Sequence, residues 1–171
     1  MMRTLTVKSE GTKPFQLLEN NQILAELNYP KWYGTFQAEL SSAKSDSVLT
    51  IKASGFWKSQ VELWEGEECI AKSTLNWSLS VIISINGKEY LLKMKSLTEG
   101  LFVLMDSDKN ELLYIDADMD WSNLKASYHI WFNEGIKTDL SNEILLFLVH
   151  NCNYFSALSG NASCTEYLAA M

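Results

Sequence analysis

Apolar and polar residues alternate in short runs along most of this chain. Runs of strand length recur about every 8–12 residues, the spacing of all-β architectures. They cover residues 5–7, 15–19, 22–28, 35–40, 48–53, 60–64, 68–74, 79–85, 88–95, 101–105, 111–115 and 125–132. Turn-forming residues separate them: Asn20-Asn21, the polar stretch 41–47, Glu65-Gly66-Glu67, Asn86-Gly87 and the segment 106–110. Asn86-Gly87 is the firmest of these, because both residues tolerate the positive φ of a type I′ hairpin turn. Tyr29-Pro30 interrupts the third run. About twelve strands are predicted in all.

The pattern changes after residue 140. Ile144 to Val149 are six consecutive apolar residues, which leave no polar face over a turn and a half of helix. An amphipathic surface helix would show a stripe, so a helix over residues 141–158 wants burial on every side. Asp139 or Ser141 can cap it, Glu143 complements its N-terminal dipole, and Gly160 lies where a helix stops. It would run about 27 Å. A transmembrane span needs about 20 apolar residues. His150, Asn151 and Asn153 interrupt this one early, so the chain is not expected to span a membrane.

Together these elements predict a mainly β fold: a closed barrel of about twelve strands around a central hydrophobic C-terminal helix. Twelve strands about 4.8 Å apart and tilted about 40° would close a barrel roughly 23–24 Å across. An axial helix would then lie about 12 Å from the wall, close to the spacing of packed elements, so one helix fills the bore. A chain of 171 residues with 2 prolines, 8 glycines and no low-complexity run suits one domain over residues 1–171: strands over about 3–132, the helix, then a weakly patterned tail over 159–171. Trp32, Trp77 and Trp121 recur at separations of 45 and 44 residues, which is either a repeat of four-strand units or chance.

Charge narrows the partners. The net charge is −7, from 21 acidic and 14 basic residues, which disfavours nucleic acid and simple adsorption to anionic membranes. Only Arg3 is an arginine, so the bidentate phosphate fork is essentially missing. Three cysteines, Cys69, Cys152 and Cys164, lie far apart and suit neither a disulfide framework nor a zinc site. With no apolar h-region near residue 1, the expected compartment is the cytoplasm.

Several stretches stand out: the early hairpin 15–28, Trp32-Tyr33-Gly34 before a strand, Asn86-Gly87-Lys88-Glu89-Tyr90, and Thr138-Asp139-Leu140 leading into the apolar helix. Together they resemble a known superfamily, the tubby C-terminal-like barrels, which include the tubby domain, the LURP-one-related proteins and phospholipid scramblases. The resemblance implies a twelve-stranded barrel around a buried helix. Tubby domains bind phosphoinositides through a basic patch, and the matching candidates here are Lys93 and Lys95, with Lys88 nearby. The simpler reading of these lysines is a solvated face. Scramblases carry an Asp-rich calcium segment shortly before the helix. Asp116, Asp118 and Asp120 form a D-x-D-x-D run about 20 residues before Asp139, which is not the scramblase place. If extended, the run would present its oxygens on one face, a weak metal candidate. The simpler reading is a solvated turn leading into Trp121.

Phe56-Trp57-Lys58 follows Gly55 and is either a packed loop anchor or an aromatic pair that meets a membrane interface or partner. His150 and Cys152 are two apart on the helix and do not face each other, so they read as a hydrogen-bonded barrel residue and a small buried hydrophobe. His129 reads as a surface or rim residue. Asp106-Ser107-Asp108-Lys109-Asn110 begins like a calcium loop but has Glu111 at the glycine position and Ala117 at the terminal glutamate position, so it reads as a hairpin turn. No nucleophile elbow, phosphate loop or zinc helix motif occurs. The expected function is a non-enzymatic binding module, without cofactor, that recognises a lipid headgroup or a protein on the barrel exterior. The alternatives are an interaction protein with no small ligand, and a metal-dependent enzyme using Asp116, Asp118 and Asp120.

Overall fold

A computed structural model describes residues 2–11, 13–30, 37–76, 80–96, 99–120 and 125–158. Its strands are β1 (Thr4–Glu10), β2 (Phe15–Glu19), β3 (Gln22–Asn28), β4 (Gln37–Ser42), β5 (Ser45–Ser54), β6 (Gln60–Glu65), β7 (Glu68–Leu75), β8 (Ser80–Ile85), β9 (Lys88–Ser96), β10 (Leu101–Met105), β11 (Glu111–Asp120) and β12 (Lys125–Phe132), followed by the helix α1 (Asn142–Leu158). Each strand pairs antiparallel with its sequence neighbours, and β12 returns to β1, so the sheet closes into a twelve-stranded barrel. Closure leaves no sheet edge to pair with another chain.

Period-two side-chain alternation sorts the wall into two faces. On β12, Ala126, Tyr128, Ile130 and Phe132 are buried, while Lys125 and His129 are exposed between them. On β1, Leu5 and Val7 point inward and meet Ile130 and Tyr128 across the seam.

The two ends of the barrel differ. At one end β2–β3, β4–β5, β6–β7 and β8–β9 are joined by two-residue turns. Asn20 and Asn21 have φ of 51° and 64°, and Asn86 and Gly87 of 49° and 78°, so both hairpins turn with positive φ at both central positions. The β10–β11 turn is organised by Asp106, whose carboxylate accepts the backbone N–H groups of Asp108 and Asn110 at 2.9 Å each. The longer connections lie at the other end.

The chain leaves β12 at the tight-turn end and feeds α1 into the bore. Ser141 is the cap: its Oγ accepts the Ile144 N–H at 3.3 Å and its carbonyl the Leu145 N–H at 3.0 Å. Leu145, Leu146, Phe147, Leu148 and Val149 have no exposed surface. The helix runs nearest β3, β4 and β7. Burial of each large apolar side chain contributes about 1.5–3 kcal/mol, so these five residues form the centre of the core.

Two local readings are corrected. The polar stretch 41–47 is not a loop: β4 continues to Ser42, β5 starts at Ser45, and Ala43-Lys44 alone makes the turn. The Asp116 to Asp120 run is not a solvated turn, because β11 extends through it and pairs Asp116 with His129, Asp118 with Ser127 and Asp120 with Lys125. In both places cross-strand pairing overrides the low strand propensity of Ser and Asp. Trp32, Tyr33, Gly34, Trp77, Trp121, Gly160, Cys164 and the tail 159–171 lie outside the described residues.

Two glycines give a graded test of the backbone. Gly87 has φ +78°, and an added Cβ would meet nothing within 4 Å. Gly100 has φ +67°, and its Cβ would sit 3.0 Å from the Ala117 carbonyl oxygen. Gly87→Ala should cost about 1 kcal/mol of left-handed strain. That corresponds to a Tm lower by about 2–4 °C. Gly100→Ala adds a backbone clash and should lower Tm further. Thermal melts of the two variants check this, and equal drops would mean that the loop before β10 yields freely.

Candidate functional site

The outer wall of β9 to β12 gathers most of the candidate chemistry. Lys93 and Lys95 alternate with inward-facing Leu92 and Met94, so both lysines are exposed on the outside of β9. They do not share one environment. Lys95 Nζ lies 3.2 Å from Glu111 Oε1 and 5.2 Å from the centre of the Tyr114 ring. Tyr114 in turn donates its O–H to the other oxygen of Glu111. That bond, and then the Lys95 ammonium, hold the Glu111 carboxyl below the usual range, while the same bond pushes the Tyr114 phenol up. Lys95 is therefore committed to a local ion pair. Lys93 stands opposite Val103, an outward-facing residue that is only 3% exposed. Val103 also faces Tyr114 across β11, so it is roofed from both sides.

Beside this cluster the wall forms an open cleft of about 550 Å³. Glu99, Leu101, Asp116, Asp118, His129 and Trp131 line it. The pairing register explains the assembly, because Asp116 sits across from both Leu101 on β10 and His129 on β12. Trp131 is fixed by stacking on Tyr114, with ring centres 5.5 Å apart and planes 20° from parallel. The D-x-D-x-D strand thus contributes Asp116 and Asp118 to a cleft with an aromatic wall. Among the described residues, no three His, Cys, Asp or Glu side chains stand close enough together to hold a metal ion.

The Phe56 segment lies on the far side of the barrel. Phe56–Lys58 forms a short 3-10 turn between β5 and β6, five to six strands away from β11 in the ring. Gly55 and Lys58 take φ of 76° and 54°, and the Tyr154 O–H donates to the Lys58 carbonyl at 2.7 Å. This anchored turn leaves Phe56 82% exposed. The structure places Phe56, Trp57 and Lys58 apart from both the lysines of β9 and the cleft.

A polar relay crosses the long-loop end of the bore. Tyr128 donates to Asn153 Oδ1, and Asn153 Nδ2 donates to the Tyr29 oxygen at 3.4 Å. The Tyr29 hydroxyl and His150 Nδ1 share a hydrogen bond at 2.8 Å. His150 Nε2 is buried and has no hydrogen-bond partner among the described residues. Full burial of this imidazole lowers its pKa from 6.5 to about 3. Cys152, also buried, has its thiol pushed well up by desolvation.

No protein-family model matches the chain, and neither does any curated protein. Its fold is similar to that of a protein from Arabidopsis thaliana with an X-ray structure. The two share 9% identity, the match covers 89% of this chain and 91% of that one, and the TM-score is 0.56. At this identity the likeness concerns fold alone. Among the described residues, no helix is long and apolar enough to cross a membrane.

The sequence pointed to Asp116 and Asp118 but not to their neighbours Glu99, Leu101 and Trp131. One signal was available. Period two places Trp131 on the same face of its strand as His129. What the sequence lacked was the register that sets β12 against β11.

Proposed function

We propose that this protein is a non-enzymatic binding module that recognises a protein partner on the outer wall of its barrel. The filled bore carries the reading: Leu145 to Val149 occupy the interior without exposed surface, so ligand contact falls to the outside. The engagement of Lys95 by Glu111 and the net charge of −7 favour a protein over an anionic headgroup. The twelve-stranded barrel around one helix also supports membership of the tubby-like superfamily, which the sequence resembles.

Flotation on neutral vesicles, phosphatidylserine vesicles and phosphoinositide vesicles tests this choice. The expected result is no flotation with any of them at physiological salt. Selective flotation with phosphoinositide vesicles that Lys93→Glu together with Lys95→Glu abolishes would replace the protein partner by a lipid headgroup.

A further inference from the structure

We propose that the cleft of β10, β11 and β12 receives a lysine or arginine side chain from a basic segment of the protein partner. This rests on the exterior-binding reading and adds the chemistry of the partner. Carboxylates alone would make only a solvated face. Here they border a concavity of about 550 Å³ with the Trp131 indole as one wall and Leu101 as an apolar surface. That combination matches a long cationic side chain, whose stem lies on apolar surface while its head meets an aromatic face and carboxylates.

The geometry is pre-organised. Asp116 and Asp118 are two residues apart on one strand, so they share a face at a separation of about 7 Å. Both are fixed by the β11–β12 register. Trp131 is held on Tyr114, which itself is bonded to Glu111 and covered by Lys95. A site so fixed loses little freedom on binding. An anionic ligand would meet Glu99, Asp116 and Asp118 with the wrong sign. An inorganic cation would lack a close ligand set, since no three such side chains converge among the described residues. The nearest cation on β12, Lys125, is already paired with Glu10 at 3.3 Å.

The test is fluorescence anisotropy with a fluorescein-labelled peptide of alternating arginine and glycine, against the same peptide with citrulline in place of arginine. The arginine peptide should bind the full chain and the citrulline peptide should not. Trp131→Leu, and separately Asp116→Asn with Asp118→Asn, should each weaken binding about tenfold or more. Glu65→Gln with Glu67→Gln makes the same change of charge at the tight-turn end and should stay within about twofold of the parent. Unchanged melting temperatures establish that each variant is folded. Absence of arginine-peptide binding overturns the proposal, as does equal weakening by the Glu65 and Glu67 pair, which would reduce binding to overall charge. Calcium or manganese binding by calorimetry that Asp116→Asn abolishes would assign the cleft to a metal ion and also overturn it. The vesicle experiment depends on Lys93 and Lys95, outside the cleft lining, so the two readings fail separately.

Discussion

Leu146→Asp should abolish the cooperative unfolding transition. Leu146 has no exposed surface and lies mid-run in the helix that fills the bore. An aspartate there would leave a carboxylate in an apolar interior where, among the described residues, no lysine or arginine is buried, at a cost of several kcal/mol. Domains of this kind are stable by about 5–15 kcal/mol, so most of the margin would disappear. Leu146→Ala removes volume without adding charge and should cost about 2–5 kcal/mol while keeping a sharp transition. Urea unfolding followed by circular dichroism separates the two cases. If the aspartate variant unfolded cooperatively with stability close to the parent, the helix would not be the core of the barrel.

Acid should weaken the fold well before its carboxylates titrate. His150 has an ordinary pKa of 6.5 in the unfolded chain and about 3 inside the barrel, because burial penalises the imidazolium. Below pH 6.5 the unfolded state therefore binds a proton that the folded state refuses. Stability is complete above pH 6.5 and is lost as pH falls towards 3. At about 1.4 kcal/mol per pH unit, this one residue removes about 2 kcal/mol by pH 5 and about 4–5 kcal/mol by pH 3. Glu111 and Asp106, whose pKa values are lowered, add to the loss only below their unfolded values of 4.5 and 3.8. The window from pH 6.5 to 5 thus isolates His150. Urea midpoints across it should fall for the parent chain. For His150→Gln, which keeps a hydrogen-bonding partner for Tyr29, they should start lower and stay flat. A parallel decline in the variant would remove His150 from the account.

The barrel was legible because its information is local. Asn86-Gly87 names its own turn, and Leu5-Thr6-Val7 names its own faces. The six apolar residues from Ile144 announce a helix that must be buried, and only a closed wall can surround one helix. The features that escaped depend on pairs distant in sequence. Ser41, Ser42 and Ser45 have weak strand propensity and entered the sheet because β3, β4 and β5 pair there. Asp116 and Asp118 stand in a strand because β12 supplies partners for them. The relay from Tyr29 to His150 and Asn153 joins residues 121 and 124 positions apart. No periodicity encodes such a meeting. The cleft fails to show for the same reason, since Glu99, Asp116 and Trp131 come from separate connections and strands.

Order of synthesis gives the helix a further consequence. The wall emerges from the ribosome first, and the segment that becomes its core follows all twelve strands. The seam between β1 and β12 also waits for residues 125–132 to meet residues 4–10. Until that seam forms, any sheet built from the earlier strands has two free edges and an uncovered apolar face, which favours aggregation. Non-local closure of this kind is slow. Closure of the barrel therefore waits until both β12 and α1 have been synthesised.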